Sequence, residues 1–440
     1  MLEVCSAAVV GCLIGMLVGC LPGLHVYNLL ALGVVAMQQC GAAVPEPVLI
    51  GAVTGLLVGF VVAGTIPSVF LAAPDESALF TVLPGQDFLM RGRGLQAVWL
   101  TTWGGIWGLI LLAVVVWPLA MRVLPALLPV VRPHFHWMLW CTIAFMLMSE
   151  WPKGGHCGQG GWRRFADGWK SPGMGLVTFF LAGLLGMILF YRPPLKLEAS
   201  FQNLMPAFVG LFTIPGLLVN LFSRMEIPAQ LPRVSFAGQG RLTAPGVLAG
   251  MMGGLFAVLV PGVTGGVGGM LAGHAVAQRD GRVFLISQGA CRAVYYIGGW
   301  LVFFVPGVRL TRGGAAGMMS GLKWHGDLDN YIWVLAALLL AGALACVCVI
   351  PAARGMLRVI RWVGYRRISL VTLLVAIGLV WAMTGMMGLL VLLPATGIGL
   401  LPLLCGARRM NALGVILLPL ALNLSGLGPV VAQWLGLVDP

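Results

Sequence analysis

Two acids, Asp75 and Glu76, close the apolar run that begins Gly64-Thr65-Ile66-Pro67-Ser68. Carboxylates at the depth of a hydrocarbon layer are costly and usually functional. They suit binding of a coupling cation or proton. Asp75 follows Pro74 and precedes Ser77, so it also has the position of a helix N-cap, and the two roles are compatible. Arg292 is the one charge between Arg282 and Arg309. An Arg in mid-span costs at least ~2.5–3.5 kcal/mol on insertion scales, so it must face a cavity or a partner. Its planar fork fits a ligand carboxylate. The competing assignment is an ion pair with Asp75 or Glu76.

Two backbone breaks offer a third chemistry. One reads Leu21-Pro22-Gly23 and the other Val260-Pro261-Gly262. A shift of 239 positions carries Gly11, Gly15, Pro22 and Gly23 onto Gly250, Gly254, Pro261 and Gly262. Pro removes a backbone donor and stops a helix, and Gly lets the freed backbone turn. Open backbone is tolerated in a membrane only where protein or a water-filled cavity receives it. Paired Gly/Pro breaks in two halves of a chain mark a transporter's binding site. Helices restarting at Gly23, Gly262, Gly265 or Gly266 would turn backbone N–H groups toward an anion. Asn28, Thr65, Ser68 and Thr264 would add hydrogen bonds. A structural role is the commoner use of a lone hydroxyl. His25 directly follows the first break and suits either a proton carrier or a packed, hydrogen-bonded ring. The run Gly265, Gly266, Gly268, Gly269 points to a flatter, more open backbone after the second break.

The elements that must hold these residues are membrane helices. The 440 residues are 60% hydrophobic and 9% charged, with a mean hydropathy of +0.99. A soluble domain carries about a quarter charged residues. At roughly 20 residues per span, the chain has room for about 10 to 13 spanning or half-spanning helices. The expected fold is an all-α polytopic membrane protein in two related, inverted halves. Residues 1–222 form the first half, 223–242 the link and 243–440 the second. The N-terminal run lacks a basic leader region and is read as a retained segment rather than a signal peptide.

The net charge of +13 comes from Lys and Arg in short loops, as the positive-inside rule requires. It does not indicate nucleic-acid binding. The cluster Arg354, Arg358, Arg361, Arg366 and Arg367 is assigned to the cytoplasm, and the loop from Lys153 to Lys170 is also basic. Most of the ten Cys lie in apolar runs and no CxxC occurs, so they read as small hydrophobes. His134, His136, His156 and Cys157 are metal-like in type only, without carboxylate support, and no metal or other cofactor is expected beyond a coupling Na+ or H+. Trp99, Trp103, Trp107 and Trp117 read as interface or packing aromatics. There is no Walker A motif, catalytic triad signature or H-E-x-x-H, which argues against ATP-driven transport and most hydrolases.

Several short motifs occur together in order. They are Gly19-Cys-Leu-Pro-Gly-Leu-His25, Thr65-Ile-Pro67, Ala73-Pro-Asp-Glu76, Val82-Leu-Pro-Gly85 and Arg91-Gly-Arg-Gly94. Farther on come Leu204-Met-Pro206, Gly210-Leu-Phe212, Pro261-Gly262, Arg282-Val-Phe-Leu285 with Gly289, and Gly406-Ala-Arg-Arg409. On these the chain resembles the large membrane subunit of tripartite tricarboxylate transporters, the TctA permease family, and within it the short archaeal-type branch. The longer bacterial members carry a nonacidic Pro-Gly-Thr-Pro element where this chain has Pro74-Asp75-Glu76. The resemblance implies a secondary transporter for organic anions such as di- and tricarboxylates. The Pro-Gly breaks would line its site, and a proton or sodium gradient would drive uptake across the plasma membrane of a bacterium or archaeon. It also implies a small membrane subunit and a periplasmic binding protein as partners, beside membrane lipids, with a homodimer as an open alternative. A lipid-linked substrate flippase or a membrane-embedded enzyme is the competing class, since either would also bury Arg and acids.

Overall fold

The computed structural model describes residues 2–41, 44–150, 160–195, 203–223, 227–235, 239–275, 280–305, 308, 313–321 and 328–438. His156 and Cys157 lie outside the described residues. Among those described, the regular elements are helices and no strand is present. In chain order they are α1 (Leu2–Gly19), α2 (Val26–Cys40), α3 (Glu46–Ala63), α4 (Thr65–Phe70), α5 (Val82–Met90), α6 (Gly94–Leu111) and α7 (Trp117–Val131). Then follow α8 (Phe135–Met148), α9 (Gly161–Tyr191), α10 (Met205–Phe208), α11 (Ile214–Phe222), α12 (Gln239–Leu259) and α13 (Gly265–Ala275). The last are α14 (Gly281–Val302), α15 (Gly313–Gly321), α16 (Leu328–Val363), α17 (Tyr365–Cys405), α18 (Gly414–Leu424) and α19 (Gly428–Trp434).

Among the described residues, 8 helical stretches are long and apolar enough to cross a membrane. The pair Arg409–Leu424 and Gly428–Trp434 is bent by 115° at its break and is either a ninth, broken span or a re-entrant loop. Two of the stretches hold more than one crossing length. Gly94–Met148 runs for 55 residues, and the 41-residue α17 is broken at Gly385. A single crossing takes about 20 residues.

The helices gather into two compact units. One comprises Met1–Val131, Gly216–Leu259 and Val263–Ala376. The other comprises Arg132–Pro215, Val260–Gly262 and Ile377–Pro440.

In the first unit the 239-residue shift found in the sequence extends to whole helices. It carries the start of α2 at Val26 onto the start of α13 at Gly265, and the end of α3 at Ala63 onto the end of α14 at Val302. The packing follows the same correspondence. Helix α1 lies along α3, and α12 lies along α14. Helix α14 also packs on α6, while α3 packs on α16.

These crossings are closed by glycine. A Cβ at Gly11 or Gly15 would fall on the backbone oxygen of Ala52 or Leu56, and a Cβ at Gly55 or Gly59 on that of Ala8 or Cys12. Gly250 faces the Ser287 carbonyl, and Gly254 lies against Val294 and the Cys291 carbonyl. Small residues four apart let helix backbones touch where lipid provides no hydrophobic drive for association. The glycine run after the second break serves the same purpose. Residues 265–275 are a regular helix, a correction to the flatter, more open backbone expected there. Gly268 and Gly253 each abut the other's carbonyl, Gly269 meets the Gln288 amide and Gly266 the Glu76 carbonyl.

The tryptophans of α6 bond to α12. The Trp103 indole donates to Thr243 Oγ1 at 2.9 Å and that of Trp99 to Gln239 Oε1 at 3.3 Å. In the second unit the buried Glu150 accepts from the Arg408 backbone N–H at 2.9 Å, Asn411 Nδ2 at 2.8 Å and Ser171 Oγ at 3.0 Å. It ties the end of α8 to α9 and to the turn before α18. Gly55→Ala forces α1 and α3 apart, and overpacking of this kind costs about 1–3 kcal/mol. The expected result is a lower unfolding temperature of the detergent-solubilised protein, whereas Gly33→Ala, on an open face of α2, leaves it unchanged or raises it, because Ala loses less backbone entropy in a helix.

Candidate functional site

Both breaks are turns built on a left-handed glycine. Gly23 has φ 88° and Gly262 φ 74°, backbone that residues with a Cβ seldom adopt. The helices restart three residues later, at Val26 and Gly265, rather than at the Pro-Gly pairs themselves. By its contacts Val260–Gly262 belongs to the second unit, and Gly262 rests against Leu420 there. The residues brought together below all lie within the first unit.

His25 is the N-cap of α2, and its Nδ1 accepts the Tyr27 backbone N–H at 3.2 Å. Thr264 occupies the matching position before α13, and its carbonyl accepts the Gly268 N–H at 3.0 Å. The two helix starts meet one segment, Asp75-Glu76-Ser77. From the α2 side, His25 Nε2 lies 3.3 Å from Glu76 Oε1. From the α13 side, Gly266 is pressed on the Glu76 carbonyl and Gly265 on the Ser77 side chain.

Arg292 holds that segment in place. Its guanidinium is 2% exposed and ion-paired to Asp75 Oδ2. Nε donates to Ser77 Oγ at 2.9 Å and Nη1 to the Val61 carbonyl at 2.9 Å. The plane also lies against Phe60, 5.3 Å from the ring centroid. A Cβ on Gly64 would come within 2.5 Å of Nη2, so glycine at the end of α3 makes room for the cation. The other Asp75 oxygen accepts the Ser77 and Ala78 backbone N–H groups at 3.0 and 2.9 Å, together with Ser77 Oγ at 2.7 Å. Asp75 is therefore the partner of Arg292, which competes with cation and anion binding, and it closes the turn Asp75–Ala78; the expected N-cap is corrected, since the next short helix begins at Leu79 with Ala78 before it.

Glu76 is buried in a different setting. Its Oε1 accepts the Tyr296 hydroxyl at 3.2 Å, and that hydroxyl lies 2.9 Å from His25 Nε2. The rings of Tyr27, Phe60 and Tyr296 surround His25 with centroids 4.7, 5.2 and 5.9 Å away.

The small polar residues divide in two. Thr65 Oγ1 donates to the Val62 carbonyl and Ser68 Oγ to the Gly64 carbonyl, each at 2.9 Å. Both thus serve the bend at Gly64, where α3 gives way to α4 and Pro67. Asn28 and Thr264 are different. The Asn28 amide nitrogen and oxygen and the Thr264 hydroxyl are buried and lack hydrogen-bond partners. An unpaired buried polar group costs about 1–3 kcal/mol, so groups of this kind mark a place that something else completes. No cluster of three or more His, Cys, Asp or Glu fit to hold a metal occurs among the described residues.

The sequence reading passed over Tyr296 and Gln288. Gln288, Arg292, Tyr296 and Trp300 stand four apart and so share one face of α14. That periodicity was the available signal. Gln288 Nε2 bonds the Gly269 carbonyl at 2.9 Å, and the Trp300 indole bonds Thr54 Oγ1 at 3.0 Å.

The tripartite tricarboxylate transporter TctA family model matches residues 6–414. The chain belongs to that family. It is also 24% identical over 417 residues to an uncharacterized protein of Methanocaldococcus jannaschii, covering 93% of this chain and 96% of that one, in line with the archaeal-type branch. No solved structure matches it. The chain is thus a multi-pass membrane component of a tricarboxylate transporter family.

Removing one partner of a buried ion pair strands the other charge, at about 3–5 kcal/mol. Arg292→Met therefore unfolds at markedly lower temperature than the parent, and adding Asp75→Asn recovers most of the loss. A double-mutant cycle on thermal unfolding measures this coupling. Equal losses in the single and double variants are the contrary outcome.

Proposed function

We propose that this TctA-family protein is a secondary active permease for small organic anions, di- or tricarboxylates, of a bacterial or archaeal plasma membrane. The observation that carries the reading is the convergence of two broken-helix starts on the Asp75–Ser77 segment, with Asn28 and Thr264 buried and unbonded at those starts. Helix N-termini present backbone N–H groups and the positive end of the helix dipole, which suits carboxylate oxygens. The Asn28 amide and the Thr264 hydroxyl supply donors that no protein group uses. Arg292 then acts through position rather than by direct contact with substrate. Its bonds to Asp75, Ser77 and Val61 hold the segment against which α2 and α13 begin.

In this reading a proton or sodium gradient supplies the energy. The two repeat halves are inverted relative to each other, and alternating access moves the broken helices about the bound anion. A small membrane subunit and a periplasmic binding protein complete the system, as the family's tripartite character supports.

The test is uptake of labelled citrate and succinate into proteoliposomes under imposed proton or sodium gradients. Thr264→Val and Asn28→Leu remove unpaired buried polar atoms, so each leaves thermal stability unchanged or raised. Each is expected to lower uptake at least tenfold. Full uptake in both variants, or none in the parent under any gradient, defeats the reading.

A further inference from the structure

We infer that the coupling ion is a proton, and that Glu76 binds it at the end of a hydrogen-bonded chain formed by His25 and Tyr296. This rests on the transport reading above and names the ion that its site takes.

The direction of the chain follows from the cap of α2. His25 Nδ1 accepts the Tyr27 backbone N–H, so in the neutral ring the hydrogen is on Nε2. That N–H faces the Tyr296 oxygen at 2.9 Å and, farther off, Glu76 Oε1 at 3.3 Å. The Tyr296 hydroxyl, accepting from His25, gives its own hydrogen to Glu76 Oε1 at 3.2 Å. With Nδ1 used as the acceptor of the α2 cap, the ring presents Nε2–H as a donor, and the Glu76 carboxylate is the acceptor at the end of the chain. The step is simple in balance: the Glu76 carboxylate and one proton combine to give the carboxylic acid.

The surroundings favour a proton over a metal cation. A sodium ion is held by a shell of oxygen acceptors, such as unwound backbone carbonyls. The groups directed at these two carboxylates are donors: the Tyr296 hydroxyl and His25 Nε2–H at Glu76, and Arg292, Ser77 and the Ala78 N–H at Asp75. A sodium ion here would meet a guanidinium and hydrogens. A proton needs one lone pair. The titratable groups facing Glu76 are His25 and Tyr27 from α2, Asp75 beside it, and Arg292, Tyr295 and Tyr296 from α14. Asp75 and Arg292 neutralise each other, which leaves Glu76 as the uncompensated acid.

Coupling then has a physical origin. The Glu76 carbonyl touches Gly266 on the first turn of α13, where the anion is held in the reading above. In a medium of low dielectric an ionised Glu76 repels that anion and a protonated one does not. Proton and anion therefore raise each other's affinity by the same factor, as linkage requires.

The test is calorimetric titration of the full-length protein with citrate, at mildly alkaline pH where free citrate is fully ionised. It is repeated in buffers of different ionisation enthalpy and with sodium replaced by choline. The parent is expected to take up about one proton per citrate and to bind equally well without sodium. Glu76→Gln is expected to bind citrate with no buffer dependence, and its uptake in proteoliposomes falls at least tenfold and no longer varies with pH. Tyr296→Phe keeps the fold but loses the donor that stabilises the carboxylate, so its uptake persists to higher pH than the parent's. Citrate binding that depends on sodium, or unchanged proton uptake in Glu76→Gln, overturns the inference while the transport reading stands. If the parent binds no carboxylate, both fall.

Discussion

A single buried guanidinium organises the first unit. In hydrocarbon a charged side chain must be paired and its hydrogen bonds filled, because the alternative is an uncompensated charge in a medium of low dielectric. Arg292 meets that requirement with three partners on two segments of the chain: the Asp75 carboxylate and Ser77 hydroxyl on one, and the Val61 carbonyl on the other. Satisfying it brings α14, the end of α3 and the loop after α4 to one point. Gly64 leaves room for the cation, and Phe60 offers it the face of a ring. Asp75, held by Arg292 and by the turn it closes, in turn fixes where Glu76 points.

The glycines supply the other constraint. Lipid tails are as apolar as leucine, so helices associate through close contact, hydrogen bonds and shape. The α1–α3 and α12–α14 crossings bring backbone against backbone. The correspondence between them, together with the exchanged pairs α14 with α6 and α3 with α16, gives the unit the form of a repeat interlocked with itself. An interlocked repeat holds two equivalent breaks at once. That brings His25, after the first break, and Arg292, on α14 beyond the second, to the same Asp75–Ser77 segment.

The asymmetry between the breaks then takes on meaning. His25 and Thr264 occupy the same position before their helices, yet one is bonded on both ring nitrogens and the other has a free hydroxyl. The first break leads to the acid and its hydrogen-bonded chain. The second leads to a glycine-rich helix start whose backbone packs directly on the Glu76 carbonyl and the Ser77 side chain.

The sequence by itself determined the membrane-helical class, the two breaks, the glycine-matched repeat and the family. These are readable because hydropathy, Pro-Gly punctuation and short motifs are local, and one stretch of residues carries each. It also marked Asp75, Glu76, His25 and Arg292 as chemically loaded, and left Arg292 open between a ligand carboxylate and an acid of its own chain. Only the tertiary structure decided that Asp75 and Arg292 are joined, that Thr65 and Ser68 bond carbonyls at the bend around Gly64, that Gly265–Gly269 pack within a regular helix, and that Tyr296 links His25 to Glu76. Those outcomes depend on contacts between residues more than 200 positions apart, or on which face of a helix meets a neighbour. Residue type and spacing constrain such contacts weakly, whereas the need to fill every buried hydrogen bond settles them once the helices are packed.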